Sequence, residues 1–193
     1  MESQDDELWS RSLKSDGTAF GALFDRHRDR VFRHAYRLCG DRHTSEDIMA
    51  SVFLELWRKR RTVVLVELSI LPWLLVTTTN VARNANRSAF RYRRMLDSLP
   101  RQDEASAESG EAVYLQSALD KDVIDALQTL PTMDLQLISL VAFEGYTITA
   151  AAELLKLTPA AAKSRMHRAR LKMKDALPLP RPRTHYAMEG KGS

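Results

Sequence analysis

The run DSLPRQDEASAESGEA, residues 97–112, separates two apolar, helix-patterned stretches. It holds five acids, several serines and alanines, and only one large apolar side chain, Leu99. Such a segment cannot offset the entropy of ordering by burial, so it reads as a linker. The chain of 193 residues therefore divides into two small units, 1–96 and 113–178. The closing residues 179–193 begin with alternating prolines and show no apolar period, and a disordered tail is expected there.

Both units have helical patterning. Phe20, Leu23, Phe24, His27, Val31, Ala35 and Leu38 recur at three- and four-residue steps, and Gly40 follows as a stop. Thr44 is expected to cap a third helix, with Asp47 three residues on and Ile48, Val52, Phe53, Leu56 and Trp57 along it. Residues 58–70 read as a loop, partly extended because of their valines. Pro72 then suits the first turn of a long fourth helix, apolar at first and basic later. A first short helix covers residues 5–14, and a helix from Pro131 to Gly145 follows one at 120–130. The fold class expected is all-α, two small helical domains joined by an acidic flexible linker.

Composition excludes several kinds of function. Cys39 is the single cysteine, so no intramolecular disulfide and no thiolate metal cluster forms around it. His27, His34 and His43 are too loosely arranged for a metal site, although the first two share a helix face. No glycine-rich phosphate loop or nucleophile triad is present. No metal, no cofactor and no enzymatic activity are expected. The start MESQDDELW lacks the basic and apolar regions of a signal peptide. The run VVLVELSILPWLLV is broken by Glu67, Ser69 and Pro72 and is too short to span a bilayer. A cytoplasmic protein with no membrane contact is expected.

Charge is unevenly placed. The formal net charge is +4, yet residues 58–94 carry nine Arg or Lys against one acid, Glu67. Residues 156–174 carry seven and no acid. Two basic blocks around an acidic one suggest a polyanionic partner, and would let the two units draw together in its absence.

The second basic block has a recognisable layout. Thr147 or Thr149 caps a short helix through Leu155, Lys156 and Leu157 make a turn, and Thr158 with Pro159 opens a longer helix. That is a helix-turn-helix pattern. At 100° per residue, Ala162, Met166, Ala169, Met173 and Leu177 form the packing stripe. Lys163, Ser164, His167 and Arg168 lie on the opposite arc, with Ala160 and Ala161 at the start allowing close approach to a groove. Arg165 flanks the stripe, placed for a phosphate or for an ion pair. Leu171 lies on the outer arc and suits a protein surface better than DNA. A solvated structural helix is the competing reading of this domain alone.

Taken together, the two units resemble a bacterial RNA polymerase sigma factor of the extracytoplasmic-function type (sigma-70 family, group 4). FGALFDRHRDRVFRHAYRLCGD is similar to region 2.1, TSEDIMASVFLELWRKR to region 2.2, and LPWLLVTTTNVARNANRSAFRYRR to regions 2.3 and 2.4. Residues 125–177, with KSRMHRAR, resemble region 4. The resemblance implies a factor that binds core RNA polymerase and promoter DNA, duplex at −35 and single-stranded at −10, and that an anti-sigma factor holds in check. It implies polymerase contacts at Asp47, Phe53, Leu54 and Trp57. For Phe53 and Trp57 the core, and for Asp47 a helix cap, are the competing roles. Leu65, Val66, Glu67, Leu68 and Ser69 match the loop that captures a flipped −10 base. Trp73, Asn80, Arg83, Asn84 and Arg87 match the helix that melts and holds the non-template strand, with core packing the alternative for Trp73. The sequence departs from the family where Ala50 and Ser51 replace a frequent Gln-Glu. Lys156 also stands where a turn glycine is usual, and Ala160–Ala162 replace a Val-Gly-Thr-Val type run. The second functional reading is a stand-alone helix-turn-helix regulator of duplex operators.

Overall fold

The computed structural model describes the backbone of residues 5–97 and 121–177, and the side chains of these except 89–90 and 92–97. Residues 98–120, which hold most of the acidic stretch, and the tail from 178 lie outside the described residues. The helices are α1 (Asp6–Leu13), α2 (Gly17–Cys39), α3 (Arg42–Lys59) and α4 (Leu71–Asp97), then α5 (121–128), α6 (Thr132–Ile138), α7 (Ile148–Leu154) and α8 (Pro159–Ala176). A π-helical turn, Ser139–Phe143, follows α6. There is no strand among the described residues, only an isolated antiparallel bridge between Val66 and Ser69.

Local chemistry sets the boundaries. Asp16 caps α2 by accepting from the Thr18 and Ala19 amides, and Gly40 ends it at φ 70°. Asp41, not Thr44, caps α3: its Oδ1 accepts from the Thr44 amide at 2.7 Å. Asp47 therefore lies a full turn inside the helix, exposed and free of the capping role. Three successive threonines, Thr77–Thr79, lie buried on α4, and two of them have hydroxyl partners. Thr78 Oγ1 donates to the Leu74 carbonyl and Thr79 Oγ1 to that of Leu75. The helix expected from Pro131 to Gly145 changes winding at Ser139, and its last turn is π.

The first four helices bury Trp9, Leu23, Val31, Leu38, Val52, Leu56, Leu74 and Leu75. The C-terminal helices bury Leu127, Leu130, Leu135, Leu140, Ala152, Ala162 and Met166. The two units are docked, with α4 against α6 and the π turn. Gly40, at the end of α2, faces α5, and a Cβ there would stand 2.5 Å from Ile124 Cδ1. Gly40→Ala thus adds left-handed strain and makes the tip of the Ile124 side chain shift. We expect it to cost ~1–2 kcal/mol, read as a lower thermal midpoint by calorimetry.

Candidate nucleic-acid and polymerase interfaces

The helix-turn-helix is built as its capping residues dictate. Thr147 accepts from the Ala150 amide at the start of α7, and Thr158 from the Ala161 amide at the start of α8, with Pro159 as the first helical residue. Lys156 adopts φ 55°, the left-handed conformation a glycine would take without strain. Its side chain is exposed, so the backbone alone carries the cost. On α8, Ala162, Met166 and Ala169 are buried, while Ala160, Lys163, Ser164, His167 and Arg168 are exposed. Ala161 is half-buried. Arg165 takes the ion-pair alternative: its Nη1 donates to Asp134 Oδ1 at 2.8 Å, and Asp134 is 6% exposed. Leu171 stands out at 48% exposed.

The basic half of α4 turns a polar stripe outward. Asn84 and Arg87 are exposed, and Asn80 and Arg83 are half-buried. Burial, and after it the charge of Arg87, lowers the Arg83 guanidinium from its usual range. Two like charges so placed favour an anion beside them. Trp73 lies on the same side within the first turn of the helix, half-buried and packed on the core, so part of its ring is open.

The loop before α4 divides into anchors and a tip. Val63 and Ile70 are buried and Leu65 packs on the core, whereas Val64, Val66, Glu67 and Leu68 are exposed. Glu67 at φ 50° and Leu68 at φ 59° both lie in the left-handed region, and the Val66–Ser69 backbone pair closes the turn. Ser69 faces inward, its hydroxyl donating to Asp5 Oδ2 at 2.9 Å.

On α3 the four expected polymerase contacts separate. Phe53 is 4% exposed and meets Phe24 edge-on at 4.7 Å, so it is a core residue and presents no surface to a partner. Trp57 is half-buried between the Phe20 ring, at 4.9 Å, and the Arg60 guanidinium, at 4.0 Å. Asp47 and Leu54 remain on the outer face, with Leu54 49% exposed. Ser51 and Arg58 share that face at four-residue steps. Ser51 was noted only as a departure from the family and Arg58 not at all, although the same periodicity that buries Val52 and Leu56 turns them outward.

Two carboxylate hubs were also missed. Glu144, after the π turn, sits with its side chain 3% exposed against α2. It accepts from Arg30 Nε at 2.8 Å, His34 Nδ1 at 2.7 Å and Arg37 Nη1 at 3.3 Å. His34 is fully buried, and its Nε2 meets Thr79 Oγ1 at 3.0 Å. Burial pushes the Glu144 carboxyl up, but the His34 and Arg30 hydrogen bonds and charges outweigh it and hold the group at about 2, against its ordinary 4.5. Nearby, Gln136 Nε2 donates to Asn80 Oδ1 at 2.7 Å. Docking of the two units thus occupies one end of the Asn80 amide. The second hub is Asp5. The shared face of His27 and His34 therefore serves two separate carboxylates, Asp5 and Glu144.

Comparison with known proteins agrees with this geometry. Residues 23–92 match the family model for Sigma-70 region 2, and residues 120–173 that for Sigma-70, region 4. The RNA polymerase sigma factor CarQ of Myxococcus xanthus is 30% identical over 160 residues, covering 82% of this chain and 89% of that protein. The ECF RNA polymerase sigma factor SigE of Mycolicibacterium smegmatis is 31% identical over 158 residues, and there the chain spans 60% of the relative. Among solved structures, CnrH in complex with the cytosolic domain of CnrY superposes with a TM-score of 0.58 at 22% identity, covering 89% of this chain and 95% of that one. The sigma factor RpoE from Bartonella quintana, in complex with the anti-sigma factor NepR, gives 0.52 at 20% identity, covering 84% and 98%.

The chain belongs to the sigma-70 family of RNA polymerase sigma factors. Within that family it is an extracytoplasmic-function factor, of the type that carries regions 2 and 4. Its function is promoter-directed initiation of transcription. Nothing found favours a stand-alone operator-binding regulator. Among the described residues no helix is long and apolar enough to cross a membrane.

Proposed function

We propose that α8 reads the −35 duplex, that the 65–69 loop and the outer stripe of α4 open and hold the −10 non-template strand, and that the outer face of α3 docks on core polymerase. The observation that carries this is the phase of α8. All of its buried residues are apolar, and Lys163, Ser164, His167 and Arg168 emerge together in its first three turns. A recognition helix places its N-terminal residues at base edges in this way. On α4, amides and guanidiniums in one row suit unstacked bases and phosphates of a single strand.

Asp47 and Leu54 are the docking residues in this reading. Phe53 supports them from the core, and Trp57 shapes the end of the face. The protein supplies specificity and strand opening and leaves polymerisation to the core enzyme, so it is not itself a catalyst. It works in the cytoplasm, and an anti-sigma factor is its expected inhibitor, as the relatives solved as complexes suggest. Co-purification with core polymerase tests the docking face. Leu54→Glu places a charge on an exposed position, leaves the helical circular dichroism unchanged, and is expected to weaken polymerase binding ~10-fold or more by desolvating an unpaired carboxylate. Undiminished binding would remove α3 from the interface.

A further inference from the structure

Asp5 sits at the N-cap position of α1 but makes no side-chain cap; its carboxylate turns instead toward the loop before α4. It is 2% exposed. Oδ1 accepts from Arg26 Nη1 at 2.8 Å. Oδ2 meets His27 Nε2, the Ser69 hydroxyl and the Ile70 amide, each at 2.9 Å. The Asp5 amide donates to the Leu68 carbonyl at 3.0 Å. Ser69 Oγ in turn accepts from the Leu71 amide at 3.2 Å, at the start of α4. One carboxylate therefore joins α2, the base of the loop and, through Ser69, the first turn of α4.

The loop has reason to need such an anchor. Two consecutive non-glycine residues, Glu67 and Leu68, hold left-handed dihedrals that cost ~1–2 kcal/mol each and persist only where surrounding contacts fix them. The tip side chains Val66 and Leu68 are 40% and 45% exposed, so they make few contacts that could do this. The Val66–Ser69 backbone pair closes the turn itself, and at the loop's base the largest group of contacts is made by Asp5. Burial raises the Asp5 carboxyl, but the hydrogen bonds from His27, Ile70 and Arg26 outweigh it and keep the group ionised well below the usual carboxylate range.

We propose that Asp5 is the positioning residue of the −10 loop: by pinning Leu68, Ser69 and Ile70 it fixes the tip in the one shape that discriminates among captured bases. The inference rests on reading residues 65–69 as the base-capturing loop. Asp5→Asn keeps the volume but removes the charge and sets an amide NH2 against donors. A loosened tip still meets a base but no longer selects among the four.

The test measures binding of the full-length protein, assembled with core polymerase, to single-stranded −10 oligonucleotides carrying each base at the captured position. A tip variant, Glu67→Ala, is run in parallel because Glu67 takes no part in the Asp5 network. The expected result is that Glu67→Ala alters the preference among bases. Asp5→Asn shrinks it ~10-fold toward no preference, while −35 duplex affinity and polymerase binding hold, and Asp5→Glu restores part of the preference. An altered profile for Glu67→Ala with an unchanged one for Asp5→Asn overturns the role of Asp5 and leaves the loop reading intact. An equal loss for all four bases in Asp5→Asn also overturns it, as general support of the fold. No change in either variant removes the loop reading and the inference with it. If Asp5→Asn fails to fold, Ser69→Ala cuts the loop's hydroxyl link without burying a charge and is held to the same outcomes.

Discussion

Replacing Lys163, His167 and Arg168 together by alanine is expected to lower transcription from a −35-dependent promoter at least ~100-fold, since each specific base contact contributes ~1–3 kcal/mol. All three side chains are exposed, so α8 keeps Ala162, Met166 and Ala169 in the core and the unit stays folded. Thermal unfolding checks that point. The salt dependence of duplex binding gives a second readout. Removing Lys163 and Arg168 should make the slope of log K against log salt shallower by ~0.9 for each phosphate no longer neutralised. Arg165 should matter less to DNA than its position on the helix implies, because Asp134 already holds its guanidinium. Duplex affinity and salt slope that both stay at wild-type values in the triple variant would exclude α8 as the reader.

Glu144→Gln is expected to part the two units. The variant leaves Arg30, His34 and Arg37 facing a neutral amide where they met a carboxylate. Breaking a buried ion pair from one side costs ~3–5 kcal/mol. Arg30 and Arg37 are 43% and 45% exposed, so water takes up part of that loss. We expect ~2 kcal/mol, roughly a 30-fold fall in the docking equilibrium constant. Small-angle scattering would show a larger radius of gyration. The pH dependence follows in sign from the carboxyl. Its value is lower in the docked form than the ordinary 4.5, so its contribution to docking is complete above 4.5 and is lost as pH falls toward about 2. The docked wild-type form should lose this component across that window, and Glu144→Gln should lack it. Because docking occupies Asn80 through Gln136, the opened variant should also bind a single-stranded −10 oligonucleotide more tightly without polymerase. Unchanged scattering and unchanged strand affinity would mean that Glu144 does not govern docking.

Features encoded by neighbours in the chain were legible in the sequence. Thr158 with Pro159, the stop at Gly40 and the buried phase of α8 all follow from residues within a few positions of one another, whereas the strained turn at Lys156 was flagged only by the resemblance. The division into two helical units was visible in composition alone. The start of α3 was misplaced: Thr44 was expected as its cap, but Asp41, three residues earlier, takes the Thr44 amide, and a Ser, Thr or Asp a turn apart suits the role equally. Phe53 lay in the same periodic stripe as Val52 and Leu56, so the core had equal claim to it, and the Phe24 contact gave it to the core. Asp5 and Glu144 were illegible for a different reason. Their partners lie 21 to 65 residues away for Asp5 and 107 to 114 for Glu144, and no spacing rule links an isolated acid to them. Only the fold brings the acids and bases together, and only burial makes the pairs matter.

Single-round run-off transcription tests the central claim most directly. Core RNA polymerase is mixed with the protein and linear fragments of the native genome. The expected result is discrete transcripts from particular fragments that core polymerase alone does not make, lost with the Lys163, His167 and Arg168 triple variant. No protein-dependent transcript from any fragment, with binding to core polymerase absent as well, would contradict the assignment of this chain as a promoter-specificity factor.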